Sequence, residues 1–245
     1  MVGKRRRTRR QHRLRLAVQP QPDDTTCGPT CLHAIYRYYG DDIELPAVVN
    51  EVTALPGGGT LAVSLACHAL RRGYDATIYT YNLLLFDPTW FSAPDADLPR
   101  LLVEQLRARP DRKLELATRA YLEFFERGGS LRYEELTAAL VRRPLKRGMP
   151  VLTGLSATYL YGCARERDDE YDSIAGMPAG HFVVISGYDT KTRQVLIADP
   201  LHDNPRYRSP LYRVGLARVI GAVILSIVTY DANLLVITPR SNGSA

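Results

Sequence analysis

The segment "PDDTTCGPTCLHAIYRYYG", which runs from Pro22 to Gly40, carries the strongest local signals in the chain. Its apolar and aromatic residues recur at the spacing i, i+3, i+4, i+7 of one helical face: Leu32, Ile35, Tyr36 and Tyr39. This spacing predicts a helix over residues 27–39. Thr25 or Thr26 is expected to cap its start, and Gly40 is expected to end it.

Cys27 would then lie in the first turn of this helix, with Cys31 one turn deeper. The positive end of a helix dipole stabilises a thiolate, which is the form that nucleophilic cysteine chemistry requires. Cys31 is expected to pack in the core beneath it. A zinc site that combined both with Cys67 and His68 would lack the paired spacing of known zinc motifs. We therefore predict no metal and no cofactor.

A cysteine nucleophile needs a base and a group that orients the base. Of the five histidines, His181 alone opens an apolar strand, in "GHFVVISGYD". Asp199 ends the next strand, in "VLIADP", and the "DTKT" between the two is typical of a hairpin turn. Pairing of these strands would place Asp199 near His181. Its carboxylate could then accept a hydrogen bond from Nδ1 and hold the ring in one tautomer.

Helical patterns come first in the chain and short β-branched segments follow. Residues 60–72 and the region 98–143 are amphipathic and helix-like, whereas apolar strand-like segments with turn residues between them begin at Pro150. This order predicts an α+β fold with helices packed on a mostly antiparallel sheet. The loop over residues 158–180 ends at His181 and is expected to cover a cleft there.

The positive charge of the chain is concentrated near its start. The segment "KRRRTRRQHRLR", residues 4–15, holds eight Lys or Arg residues and no acid, while the rest carries slightly more acidic than basic residues. Residues 1–18 are therefore predicted to form a basic, disordered arm. We favour a solvated tail over a nucleic-acid-binding segment, because no aromatic residues alternate with the arginines, but the arm leaves nucleic acid open as a partner.

No stretch predicts insertion into a membrane. The most apolar candidate, Val219–Ile237, contains Asp231 and Asn233, so its apolar part is too short to span a bilayer. A core helix followed by a buried strand is the better interpretation. The opening residues also lack the apolar run of a secretory signal. We therefore expect a cytoplasmic, reducing location and free thiols at all four cysteines.

Several of these elements together resemble a known family. Gln21 and Cys27 in "QPDDTTCGPTCL", then "YYG", "GHFVVISGYD" and "VLIADP", are similar in type and order to the C39 family of papain-like cysteine peptidases. That family includes bacteriocin-processing domains that cut after a double-glycine leader. The resemblance covers roughly 19–81 and 148–200, and it implies a papain-like domain over residues 19–240 with a helical insertion around 98–143.

The resemblance also implies roles for individual residues. Cys27 would be the nucleophile, His181 the general base and Asp199 the residue that orients it. The side-chain amide of Gln21 and the backbone N–H of Cys27 would stabilise the oxyanion.

Three functions stay open at this point. The first is hydrolysis of a peptide or other amide through a thioacyl-enzyme. The second is transfer of the same acyl or peptidyl group to an amine, and the third is a non-catalytic protein that binds a partner in the cleft. The sequence does not give the oligomeric state.

Overall fold

The computed structural model describes residues 11–93, 96–168 and 170–240. The predicted helix-rich first half is confirmed, and a further helix follows late in the chain. The helices within these ranges are α1 Cys27–Tyr38, α2 Leu45–Glu51, α3 Ala62–Arg71, α4 Leu98–Ala108, α5 Arg112–Glu126, α6 Ala138–Lys146 and α7 Leu216–Leu225. None of them combines the length and the apolar character that crossing a membrane requires.

The strands form one large sheet and one small hairpin. They are β1 Gln11–Arg13, β2 Tyr74–Thr80, β3 Ser130–Arg132, β4 Val151–Ser156, β5 Glu166–Arg167, β6 Glu170–Tyr171, β7 Gly180–Asp189, β8 Gln194–Ala198, β9 Leu211–Gly215 and β10 Asn233–Pro239. The large sheet has the order β3-β2-β10-β4-β7-β8-β9, with β1 paired to β7, and β5 pairs with β6. All pairs are antiparallel except β2 with β3. The predicted α+β class with a mostly antiparallel sheet is thus confirmed.

The central strand β7 is buried on both faces, which explains its nearly continuous apolar sequence. Phe182 and Val184 face a core built with α1, α3 and α5. Val183 and Ile185 point to the opposite face, where they join a second core formed with α6 and α7. Because side chains alternate between the faces of a strand, helices on both sides of the sheet require an apolar residue at every position.

Helix α1 lies against this sheet and is buried from Cys27 to Tyr36. Its approach is so close that Gly28 has no room for a side chain. A Cβ atom there would lie 2.5 Å from the Cγ2 atom of Thr60 and 3.3 Å from the ring of Phe182. The Cys-Gly pair therefore fixes how near the start of α1 comes to the strand that carries His181.

The predicted disordered arm over residues 1–18 is wrong for its second part. Residues 1–10 lie outside the described residues, but Gln11–Arg13 forms β1, which pairs with β7 from Gly187 to Asp189. Leu14 and Leu16 are then buried. The pairing is possible because β4 covers β7 only as far as Ile185, so the backbone of β7 beyond that point needs another partner.

The region predicted to be helix-rich, 98–143, contains α4, α5 and most of α6. The apolar stretch Val219–Ile237 is a helix followed by a buried strand, as predicted, because α7 and β10 occupy it. Strand β10 lies between β2 and β4 and so joins the two parts of the sheet.

Asp231, just before β10, links the sheet to the helical layer. Its Oδ1 accepts a hydrogen bond of 3.3 Å from the backbone N–H of Ala62, the first residue of α3. Burial raises the pKa of this carboxyl to about 7, against the lowering effects of the Ala62 hydrogen bond and the charge of Lys113. The site therefore favours the neutral form of Asp231.

We expect Asp231→Asn to stabilise the protein in a pH-dependent way. The folded state binds the Asp231 proton more tightly than the unfolded chain, so this residue makes the protein less stable as pH rises from about 4 through about 7. Asparagine keeps an acceptor for Ala62 but never ionises. Denaturant unfolding should show a gain of roughly 3–4 kcal/mol at pH 8 and almost none at pH 4. An equal effect at both pH values would contradict this account.

Candidate active site

His181 and Asp199 meet at the open end of the β7–β8 hairpin. The "DTKT" turn joins the two strands, which pair in antiparallel register as far as Val184 with Ala198. Beyond that pair, Nε2 of His181 lies 2.8 Å from Oδ1 of Asp199. The side chains are 6% and 0% exposed, so this contact is shielded from water.

The prediction that Nδ1 of His181 donates to Asp199 was wrong. Asp199 binds Nε2 of His181 instead of Nδ1, because the ring at the start of β7 turns Nε2 toward the buried end of β8. The other ring nitrogen, Nδ1, is thereby left for the opposite side of the ring. Cys27 is a hydrogen-bond partner of His181.

Cys27 is the first residue of α1, and its side chain is nearly buried at 9% exposure. Within the described residues no side chain caps this helix. The expectation that Thr25 or Thr26 would do so was wrong, because the Thr26 hydroxyl bonds instead to the backbone of Asp23. The uncapped end leaves the first backbone N–H groups of α1 without a side-chain acceptor at the point where Cys27 lies.

The charges of the site favour a protonated His181. Burial by itself lowers its pKa, but the charge of Asp199 and its hydrogen bond, together with smaller contributions from Cys27, raise the pKa well above the usual value. Burial would also raise the pKa of Asp199, yet His181 and two tyrosine hydroxyls hold it below the usual value. An imidazolium–carboxylate pair therefore persists through neutral pH.

Two tyrosines complete the surroundings of Asp199, and the sequence reasoning missed them. The hydroxyls of Tyr161 and Tyr212 donate to Oδ2 of Asp199 at 2.7 and 2.6 Å. The backbone N–H of Leu201 donates to Oδ1 at 2.9 Å. Nothing in the local pattern indicates this role, because the tyrosines come from separate parts of the chain. Only the fold brings these two hydroxyls close to Asp199.

Gln21 lies at the same end of the site. Its backbone N–H donates to the carbonyl of Pro200, directly after Asp199, at 3.0 Å. Its side-chain Nε2 donates to the carbonyl of Asp23 at 2.9 Å. Since an amide nitrogen carries two hydrogens, one N–H remains for another acceptor.

A cavity of about 260 Å³ adjoins His181 and is lined by polar groups, among them Gln21, Asp24, Glu166 and Tyr171. The loop predicted to cover the cleft contributes Glu166 and Tyr171 from the β5–β6 hairpin. A larger cavity of about 500 Å³ lies at the far end of β7, between α6 and α7. Two of the four predicted site residues, Gln21 and His181, line the smaller cavity, and none of the four lines the larger one.

The remaining cysteines have other surroundings. Cys31 is fully buried under Cys27, and its thiol donates to the carbonyl of Phe182 at 3.2 Å. Cys67 bonds to the carbonyl of Ala120, and His68 bonds to Tyr36 and Glu51. In the part of the chain that the structure describes, no group of three or more His, Cys, Asp or Glu residues is arranged to hold a metal ion.

Comparison with known structures assigns the fold. The chain is similar to a protein classed as a C39-like peptidase from Bacillus anthracis, with 16% identity, a TM-score of 0.53, and coverage of 95% of this chain and 99% of that one. It is also similar to xylellain, a cysteine protease from Xylella fastidiosa, with 12% identity, a TM-score of 0.45, and 95% and 87% coverage. The peptidase domain of Streptococcus ComA, a bifunctional ABC transporter, gives 14% identity, a TM-score of 0.43, and 92% and 99% coverage. The fold is papain-like.

The family resemblance is confirmed by sequence as well. Residues 117–214 match the model of the Peptidase_C39 like family. This segment begins in α5, ends in β9, and includes both His181 and Asp199, whereas Gln21 and Cys27 precede it. No curated protein matches the chain. The fold is therefore that of the C39-like peptidase, and the sequence match to the family covers residues 117–214.

Proposed function

We propose that this protein is a cysteine peptidase or amide hydrolase that works through a thioacyl-enzyme. Cys27 is the nucleophile, His181 the general base and acid, and Asp199 the residue that orients His181. Gln21 and the backbone N–H of Cys27 stabilise the oxyanion. The observation that carries this proposal is the buried His181–Asp199 pair, hydrogen-bonded to a cysteine at an uncapped helix start.

The reaction follows from these positions. The thiol proton of Cys27 is held on Nδ1 of the His181 imidazolium, and the sulfur forms a C–S bond with the amide carbon. The oxyanion that develops is held by the N–H groups of Gln21 and Cys27. His181 then gives its proton to the leaving nitrogen as the C–N bond breaks. The neutral ring next takes a proton from water, and the hydroxide cleaves the thioester to release the acid.

The substrate in this proposal is a peptide or other amide that enters the cavity beside His181. One relative by fold is a double-glycine motif protease in complex with its leader peptide. The four cysteines are free, which fits the reducing, cytoplasmic setting that we also propose. Transfer of the acyl group to an amine would use the same first half-reaction, and added amines that yield conjugates would reveal it.

Selective alkylation tests the proposal without a known substrate. We expect iodoacetamide at pH 6 to modify Cys27 at least about tenfold faster than Cys163, because a base-paired thiolate reacts and an ordinary thiol does not. Cys163 is the informative comparison, since it is more exposed than Cys27. If accessibility alone set the rate, Cys163 would be alkylated faster than Cys27. Peptide mass mapping over time measures both rates.

Two variants make the test specific. Cys27→Ala should abolish the fast labelling and any hydrolysis of fluorescein-labelled casein, while Cys163→Ala should leave both unchanged. Casein hydrolysis that survives in Cys27→Ala, or equal labelling of the two cysteines, would refute the proposed role of Cys27.

A further inference from the structure

We infer that Tyr161 and Tyr212 are positioning residues that clamp Asp199, so that a single carboxylate oxygen faces His181. This inference rests on the proposed function, because it assigns the tyrosines a part in the same reaction. The hydroxyls of both residues bond to Asp199. They act through Asp199 and the histidine ring.

The clamp is built from two separate elements. Tyr161 belongs to a single π-helical turn, Thr158–Gly162, that follows β4. Tyr212 lies on β9, where it pairs with Ile197 of the neighbouring strand. Their hydroxyls converge on the same atom, Oδ2 of Asp199, at 2.7 and 2.6 Å. Since neither element adjoins Asp199 in sequence, only the folded sheet brings the three together.

Each carboxylate oxygen of Asp199 accepts hydrogen bonds from two of its four donors. Oδ2 accepts from the two tyrosines, and Oδ1 accepts from His181 and from the backbone N–H of Leu201. Rotation of the carboxylate would break several of these bonds at once in a buried site, where an unpaired acceptor is costly. The arrangement therefore keeps Oδ1 on Nε2 of His181 and leaves Nδ1 for Cys27 in the proposed mechanism.

The tyrosines are themselves held in place. The ring of Tyr212 stacks on that of Tyr207, with centroids 3.9 Å apart and planes at 7°. Arg218 binds the carbonyls of Leu160 and Tyr159, both at 2.9 Å, and so fixes the turn that carries Tyr161. Such support is what a preorganised site needs, because a donor that moves cannot fix its acceptor.

Both hydroxyls remain donors at any working pH. Burial and the adjacent charge of Asp199 raise the pKa of Tyr161 and of Tyr212 far above the usual value. The titratable groups that face the His181–Asp199 pair are the two tyrosines, Cys27 and, one helical turn deeper, Cys31. Asp24, Glu166 and Tyr171 line the cavity that adjoins His181. A change in the pH dependence of Cys27 alkylation in a tyrosine variant can thus be traced to these groups.

Removing one hydroxyl should have two effects. The Asp199 carboxylate loses a hydrogen-bond donor, so it holds the His181 proton more tightly. The inflection that His181 deprotonation produces in the pH profile of Cys27 alkylation should therefore move to higher pH. The carboxylate also becomes less fixed, so Nδ1 of His181 is less well aligned with Cys27. We expect the alkylation rate of Cys27 at pH 7 to fall about threefold to tenfold in each single variant.

The experiment compares Tyr161→Phe, Tyr212→Phe and the double variant with the wild-type protein. Iodoacetamide alkylation of Cys27 is measured from pH 5 to pH 10, and thermal unfolding is recorded in parallel. Tyr207→Phe is the matched control, because its ring lies in the same stack but its hydroxyl is not among the donors to Asp199. The inference predicts that the three variants of Tyr161 and Tyr212 alkylate Cys27 more slowly than the wild type and show the His181 inflection at higher pH. The control should have the wild-type rate and pH profile.

Two results would overturn the inference in distinguishable ways. Variants that unfold at lower temperature but keep the wild-type rate and pH profile would show that the tyrosines are only structural, and the proposed function would stand. A wild-type protein whose Cys27 reacts no faster than Cys163 would refute the proposed function and the clamp with it. Because both single variants remove one oxygen atom each, a folding failure of the double variant still leaves two measurements.

Discussion

Replacement of His181 by alanine is expected to lower casein hydrolysis at pH 7 by about 10⁴-fold or more, because the residues of such a site act as a unit. In the proposed mechanism the ring holds the thiol proton of Cys27, and its Nε2 is hydrogen-bonded to Asp199. Without it, Cys27 has no base and the leaving nitrogen has no proton donor. The same variant should also lose the fast alkylation of Cys27.

His202→Ala is the matched control for this variant. His202 lies shortly after Asp199, beyond the end of β8, but its Nε2 contacts the carbonyl of Val18, 3.3 Å away, and not Asp199. We expect its hydrolysis rate to stay within about twofold of the wild type. If His181→Ala and His202→Ala lose activity equally while both remain folded, the general-base assignment fails.

Gln21→Ala is expected to slow hydrolysis by about 10²–10³-fold, the usual cost of removing one oxyanion donor. Its side-chain amide has one N–H in use on Asp23 and one to offer. The backbone bond from Gln21 to Pro200 does not involve the side chain, so the variant should keep the loop attached to the sheet.

Comparison of two reactions isolates this role. Amide hydrolysis passes through an oxyanion, whereas alkylation by iodoacetamide displaces iodide at carbon and forms none. Gln21→Ala should therefore be slow in casein hydrolysis and close to wild type in Cys27 alkylation. Equal losses in both reactions would indicate that Gln21 supports the shape of the site instead.

The predictable part of the site is the part encoded by short-range patterns. The helical spacing after Cys27 predicted the start of α1, and the "DTKT" turn predicted the hairpin that brings Asp199 close to His181. Both features depend on residues close in sequence, so periodicity and turn chemistry are enough to place them.

The features that the sequence did not reveal depend on contacts between distant segments. Tyr161 reaches Asp199 from 38 positions earlier in the chain, and no local pattern marks a buried hydroxyl. The choice of Nε2 over Nδ1 is set by how the His181 ring packs. Strand β1 was missed because its charged sequence shows no strand pattern, and its pairing with β7 depends on where β4 happens to end.

The position of β10 has a consequence for the order in which the sheet of this protein forms. Without this strand the pair β2–β3 has no hydrogen-bonded link to β4, β7, β8 and β9. Because β10 is the last strand in chain order among the described residues, translation must pass Pro239 before the sheet can join. Until then the two parts of the sheet are not joined through β10. The complete sheet therefore forms only after β10 has been made.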